Sequence, residues 1–301
     1  MWAGRVPPFS TALRLATVAG GDRLALHDSI PDRWRPGYPV ALLVHGLSGT
    51  HASGYMRRTT ALLLPHAIRV VRMDLRGCGR GESLARGTYN GACSHDVRAV
   101  AEEIRRWSPS SPLVLIGFSL GGNIVLKLAG EASEAPLAGL ERVAAVAPPI
   151  DLVRCAALIS SPRNRLYEIH FVRSLIKQVR RQQKHFPDLP AVRIPLHATL
   201  RQFDDLYTAP RGGFADATDY YRRASSLPLV PRIRVPTLIV TARDDPFIGA
   251  EPFESLVAPP HIEVQIARHG GHLGFLGRDV SGGVRWAEGR IVDWVTQCPV
   301  S

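Results

Sequence analysis

Apolar residues fall along this chain in short runs, each stopped by glycine or a polar cluster, with stretches of helical periodicity between them. The runs occupy residues 40–44, 68–73, 113–116, 144–147, 237–241 and 262–266. Runs this short, most of them apolar at consecutive rather than alternate positions, predict strands buried on both faces of a parallel sheet. Helical spacing is legible over 96–107 and 122–132, and strands alternating with helices predict a doubly wound, mostly parallel α/β fold. Ahead of them, residues 12–18 and 23–27 alternate apolar and polar positions around Gly20-Gly21-Asp22, the pattern of a hairpin. One stretch breaks the rhythm. From about Asp151 to Pro231 there is no comparable run, only basic helical segments and a tail rich in proline and aromatics. Residues 1–150 and 232–301 are therefore expected to build a sheet-bearing core, and 151–231 a helical cap inserted between two of its strands.

Ligands of such sheets bind beyond the carboxyl ends of the strands, so the clusters that stop the runs are where chemistry is expected. Gly117-Phe118-Ser119-Leu120-Gly121 is the most informative, because it lies between an apolar run and an amphipathic helix. A tight strand-to-helix turn lifts a serine hydroxyl clear of the backbone, the glycines avoid clashes beside it, and the helix start offers free N–H groups to a developing oxyanion. Ser119 is the expected nucleophile. It needs a base, and the glycine-rich His269-Gly-Gly-His272 loop after the last run supplies two. His272, deeper in the loop and flanked by glycines, is favoured, with His269 the alternative. The imidazole needs a carboxylate to fix its tautomer. Asp245 is the choice and Asp244 is read as a turn residue, with Asp151, after the preceding run, as a further candidate. Oxyanion donors are expected at the backbone N–H groups of Leu120 and Leu47, the second from the His45-Gly46-Leu47 loop, in which His45 hydrogen-bonds locally.

The serine–acid–histidine order and these motifs together resemble the α/β-hydrolase superfamily, and within it the YheT-like branch. That branch includes eukaryotic hydrolases of medium-chain phospholipids and fatty-acid ethyl esters. The similarity is carried by His45-Gly-Leu, Arg76-Gly-Cys-Gly79, Gly117-Phe-Ser-Leu-Gly-Gly-Asn123, Asp244-Asp-Pro246 and His269-Gly-Gly-His-Leu-Gly-Phe275. It also includes Phe203-Asp-Asp-Leu-Tyr-Thr-Ala-Pro210, Gly213-Phe214 and Tyr220-Tyr221, which lie in the cap and are the most discriminating. The resemblance implies a carboxylic ester hydrolase working through Ser119, Asp245 and His272 on a small ester or lipid of short to medium acyl chain. Thioester or amide cleavage by the same triad, and a silent lipid-binding version of the fold, are the alternatives.

Composition changes the picture only at its edges. A net charge of +11 over 301 residues invites a nucleic-acid partner. Yet the excess is 34 Arg to 3 Lys, which GC-rich coding would also produce, and the aromatics cluster beside acidic residues in the cap. Nucleic acid is not expected. Residues 151–235 hold 15 basic and 7 acidic side chains, so most of the charge is in the cap and the linker after it. From Leu166 to Arg181 the apolar residues Leu166, Ile169, Val172, Leu175, Ile176 and Val179 recur at helical spacing. This predicts a lid helix with a basic outer face, which could touch an anionic membrane. Cys78, Cys93, Cys155 and Cys298 form no Cys-x-x-Cys pair, and no zinc-type His-x-x-x-His motif occurs, so no metal or cofactor is expected. Cys78 reads as a structural thiol in a glycine turn. Residues 1–10 lack the apolar core of a secretory signal, and no run is long enough to span a bilayer, so a cytoplasmic location is expected.

Overall fold

The computed structural model describes residues 6–277 and 284–297; the first five residues and Cys298 lie outside them. Eight strands form one sheet in the order β1-β2-β4-β3-β5-β6-β7-β8. They are β1 (Ala12–Thr17), β2 (Arg23–Ser29), β3 (Val40–Val44), β4 (Arg69–Met73), β5 (Leu113–Phe118), β6 (Leu140–Val146), β7 (Thr237–Ala242) and β8 (Ile262–Ala267). β1 and β2 form the expected hairpin and join β4 antiparallel, while every pairing from β4 to β8 is parallel. The fold is α/β and mostly parallel, as the short runs alternating with helices predict.

The central runs are apolar at nearly every position because each faces two cores. Leu42, Val44 and Leu115 join one cluster with Val97, Val100 and Ile124 from helices α2 (Ser94–Trp107) and α3 (Leu120–Glu131). Their neighbours Ala41, Leu43, Val114 and Ile116 point the other way. They meet Met56 and Leu63 of α1 (Gly54–Leu63) and Ile291 and Val295 of α10 (Trp286–Thr296). The period-2 alternation of a strand places successive residues on opposite faces, so only helices on both sides can bury such a sequence.

Between β6 and β7 the chain is helical: α4 (Leu152–Ile159), α5 (Arg165–His185), α6 (Leu200–Phe203), a π-helical turn (Asp204–Thr208), α7 (Ala209–Gly212) and α8 (Ala217–Ala224). Short α9 (Glu251–Glu254) follows β7. Val172, Leu175, Ile176 and Val179 of α5 pack on Leu200, Phe203 and Tyr207 as a third apolar cluster. The predicted stripe needs one correction. Leu166 is 82% exposed, whereas Glu168 takes an inward position at 1%. Steps of three residues lag the helical period by roughly 60° each, so Leu166 has rotated off the stripe that Val172 belongs to. Glu168 is tolerated inside because its carboxylate accepts from Ser160 Oγ (2.6 Å), Leu200 N–H (3.0 Å) and Arg165 (2.9 Å). Among the described residues no helix is long and apolar enough to cross a membrane.

Candidate active site

Three carboxyl ends of the sheet converge. β5 delivers Ser119 into the turn before α3, β7 delivers Asp245 and the loop after β8 delivers His272. Ser119 has φ 50° and ψ −123°, a left-handed conformation that L residues adopt at a cost of about 1–3 kcal/mol. The surroundings impose it: a Cβ on Gly117 would overlap the backbone of Gly121, and one on Gly121 would overlap the Val44 carbonyl. Both positions of the motif therefore need glycine for lack of space.

Ser119 Oγ lies 2.9 Å from His272 Nε2, and His272 Nδ1 lies 2.8 Å from Asp245 Oδ2. A carboxylate only accepts, so Nδ1 carries the proton and donates it, leaving Nε2 free to accept from the serine hydroxyl. The Asp245 side chain is fully buried, and its second oxygen accepts from the N–H groups of Phe247 (2.9 Å) and Ile248 (3.2 Å). Phe247 packs edge-on against the imidazole with ring centroids 5.0 Å apart. The other candidates lie elsewhere. Asp244 accepts from Gly270 N–H and Gly271 N–H, both at 2.8 Å, and so ties down the start of the histidine loop. Those bonds hold its carboxyl below the usual range against the upward pull of partial burial. His269 is 77% exposed, 3.5 Å from Asp244. Asp151 caps α4 through Arg154 N–H (3.1 Å).

Leu47 and Leu120 line the same cavity as Ser119 and His272, and among the described residues neither backbone N–H is engaged in a hydrogen bond. The loop bearing Leu47 is held on three sides. His45 is wholly buried; its Nδ1–H donates to Gly46 O (2.8 Å) and its Nε2 accepts from Leu75 N–H (3.1 Å). Burial pulls its pKa down, so it stays neutral in that tautomer. Tyr55 Oη accepts from Gly46 N–H (3.1 Å), and Tyr89 Oη accepts from Ser48 N–H (2.8 Å). Neither tyrosine carries a signal in the sequence, since Tyr89 lies in a loop without periodicity and Tyr55 reads as an ordinary helix residue. Arg76 adds a buried frame, bridging Asp22 (2.5 Å) and Asp96 (2.6 Å). Cys78 and Cys155 are buried with thiols pushed up by desolvation, which removes thiolate reactivity.

The sequence profile of the alpha/beta hydrolase family matches residues 41–280. The chain belongs to that family. Among curated proteins, this hydrolase is 33% identical to YheT of Escherichia coli over 86% of its own length and 76% of the relative's, which places it in the YheT-like branch. It is 29% identical to the monoacylglycerol lipase of Saccharomyces cerevisiae over 83% of this chain, spanning 57% of the yeast protein. A solved esterase of Pyrococcus furiosus shares the fold, with a TM-score of 0.64 at 16% identity over 96% of this chain and 91% of that one.

Beneath α4 and α5 this α/β hydrolase encloses a cavity of about 200 Å³ that opens on Ser119. Leu152, Ile159, Phe171, Leu175, Phe203 and Phe247 give it an apolar lining. Its polar members are mostly committed to one another: Tyr207 Oη donates to Gln182, and Gln182 Nε2 donates to the carbonyls of Arg86 and Gly87 (3.0 Å each). Asp204 also lies in the wall. Burial pushes its carboxyl up to about 6, and Tyr221 Oη donates to it at 2.7 Å. A serine hydroxyl at the mouth of a largely apolar chamber suits attack on the carbonyl of an acyl group whose tail is buried there.

Proposed function

We propose that this protein is a serine hydrolase of carboxylic esters, acting through an acyl-enzyme. The observation that carries the reading is the continuous Ser119–His272–Asp245 hydrogen-bond chain at the mouth of an apolar cavity. His272 Nε2 takes the Ser119 proton as Oγ attacks the acyl carbonyl, and buried Asp245 stabilises the imidazolium that results. The N–H groups of Leu47 and Leu120 receive the oxyanion, each worth roughly 3–4 kcal/mol in comparable sites. His272 then protonates the leaving alcohol. Water repeats the sequence on the acyl-enzyme and frees the acid.

Residues 151–231 act as the cap that supplies most of the acyl chamber, over a core of 1–150 and 232–301. A cavity of about 200 Å³ is below the roughly 300–1,000 Å³ usual for drug-sized ligands, which supports short to medium acyl chains. The name of the yeast relative points the same way, toward an acylglycerol or a similar small lipid. Leu166 and Tyr167 are 82% and 52% exposed beside Arg163 and Arg165, which supports a peripheral contact of the cap with an anionic lipid surface. Three buried free thiols fit a reducing compartment, the cytoplasm.

p-Nitrophenyl esters of graded chain length test the reading. Turnover should be highest for short to medium acyl groups, and Leu175→Trp, which fills the chamber, should shift the preference to shorter ones. Equal turnover at every length in both proteins would count against the chamber as the acyl site.

A further inference from the structure

A second cleft lies apart from the acyl chamber, on the sheet face covered by α1, and shares no lining residue with it. Leu13, His27 and Arg72 stand in register across β1, β2 and β4, forming its floor. Arg57 comes from α1, His51 and Arg80 from the loops after β3 and β4, and Phe9 closes the remaining side.

The charge of this cleft is one-sided. Arg57 and Arg80 are exposed, and among the described residues neither guanidinium pairs with a carboxylate. Arg72 is only 4% exposed. It donates to His51 O (2.9 Å) and Thr11 Oγ1 (3.1 Å) and stacks 5.0 Å over the Phe9 ring, yet its Nε is buried with no partner. Burial and the neighbouring Arg57 bring its pKa down to about 10, as expected of a cation short of counter-charge. The nearby acid is Asp74, which is fully buried and already spent. Its oxygens accept from His27 Nε2 (3.0 Å), His51 N–H (2.7 Å), His51 Nδ1 (2.8 Å) and Arg80 N–H (3.0 Å). His27 and His51 stack at 3.4 Å, and both rings contact that carboxylate. The His27–His51–Asp74 trio has the composition of a cation site. Saturated carboxylate oxygens and three surrounding guanidiniums give the cleft the opposite chemistry.

We propose that this cleft binds a phosphate-class dianion, gripped by Arg57, Arg72 and Arg80. Guanidinium forks match tetrahedral oxyanions, and three of them against one carboxylate leave a double positive charge for the ligand to neutralise. The site is independent of the ester-hydrolase reading, so it stands or falls without Ser119.

Isothermal titration of the whole protein with inorganic phosphate, in a low-salt buffer free of other polyanions, tests it. Saturable binding at one site is expected. Arg57→Ala/Arg80→Ala should weaken it at least about tenfold, the worth of one lost charge-assisted contact, and Ser119→Ala should leave it unchanged. Both arginines are exposed; if the double variant nonetheless melts early, single Arg80→Gln replaces it. A second arm identifies the source of the phosphate. Flotation with phosphatidylcholine vesicles containing phosphatidic acid, lost in the double variant, would assign the dianion to a lipid headgroup, and phosphate binding without flotation would assign it to a free phosphate. Three results would overturn the site: no saturable phosphate binding up to about 10 mM, equal affinity in wild type and the arginine variant, or tight zinc binding that His51→Ala abolishes.

Discussion

Asp244 and Asp245 are adjacent, both follow β7, and both accept hydrogen bonds, so separate substitution to asparagine discriminates sharply between them. An asparagine at 245 keeps the shape of the side chain. Its oxygen would still accept from Phe247 and Ile248 N–H, which lie 2.9 and 3.2 Å from Asp245 Oδ1. Its NH2 would then face His272 Nδ1, now 2.8 Å from a carboxylate oxygen. A donor there forces Nδ1 to accept and moves the ring proton to Nε2, the nitrogen 2.9 Å from Ser119 Oγ. The imidazole could no longer take the serine proton. The expected loss in kcat is about 10⁴-fold, or between 5 and 6 kcal/mol of transition-state stabilisation by rough conversion, with KM little changed. At 244 the same change leaves an amide oxygen for Gly270 and Gly271 N–H on a side chain 44% exposed. Its cost should stay below about 1 kcal/mol. Steady-state hydrolysis of p-nitrophenyl butyrate by the two variants reads both numbers. If Asp245→Asn keeps more than about a tenth of wild-type kcat, or Asp244→Asn is the more damaging, the tautomer reasoning is wrong.

Three further outcomes follow from contacts around the site. Tyr89→Phe strands the Ser48 N–H, an unmet donor worth about 1–3 kcal/mol, and should lower kcat with little change in KM because the loop also carries Leu47; a change confined to KM would contradict this. Gly121→Ala drives a methyl group into the backbone carbonyls of Val44 and His45 and should destabilise the fold by about 1–3 kcal/mol or more; an unchanged melting temperature would refute the packing. Asp204 has a folded pKa raised to about 6 by burial, so its contribution is fully present below its unfolded value and is lost as pH rises through about 6. Asp204→Asn should remove that slope, gaining up to about 3 kcal/mol relative to wild type between pH 4 and pH 7.5 in urea unfolding, and an equal stability difference at both pH values would count against it.

The parts of this structure written locally in the chain are legible from sequence. The central strands β3, β5 and β7 are nearly continuous apolar segments because two helical layers cover the sheet, and the turn bearing Ser119 shows itself because glycine is sterically required at 117 and 121. Asp245 is legible from its position before Pro246 and from the family resemblance, whereas its buried contact with His272 is visible only in three dimensions. What stayed hidden depends on long-range pairing. Arg76 meets Asp22 and Asp96 across 54 and 20 residues, and Tyr89 reaches Ser48 across 41. No periodicity encodes such partners. Leu166 misleads for the reverse reason, since it satisfies a local spacing that drifts off the packed face within two steps. The arginine cleft is equally invisible, because Arg57 comes from α1, Arg72 from β4 and Arg80 from the loop after it, and only the packing of α1 against the sheet brings them to one cleft.

Covalent labelling tests most directly whether Ser119 is the nucleophile of an ester hydrolase. Wild-type protein and Ser119→Ala, matched for melting temperature, would be treated with a fluorophosphonate and digested for peptide mass spectrometry, with p-nitrophenyl butyrate turnover followed in parallel. One stoichiometric adduct is expected on the peptide containing Ser119, with turnover lost as the adduct forms, and neither adduct nor turnover in the variant. Equal labelling and equal hydrolysis by the two proteins would contradict it.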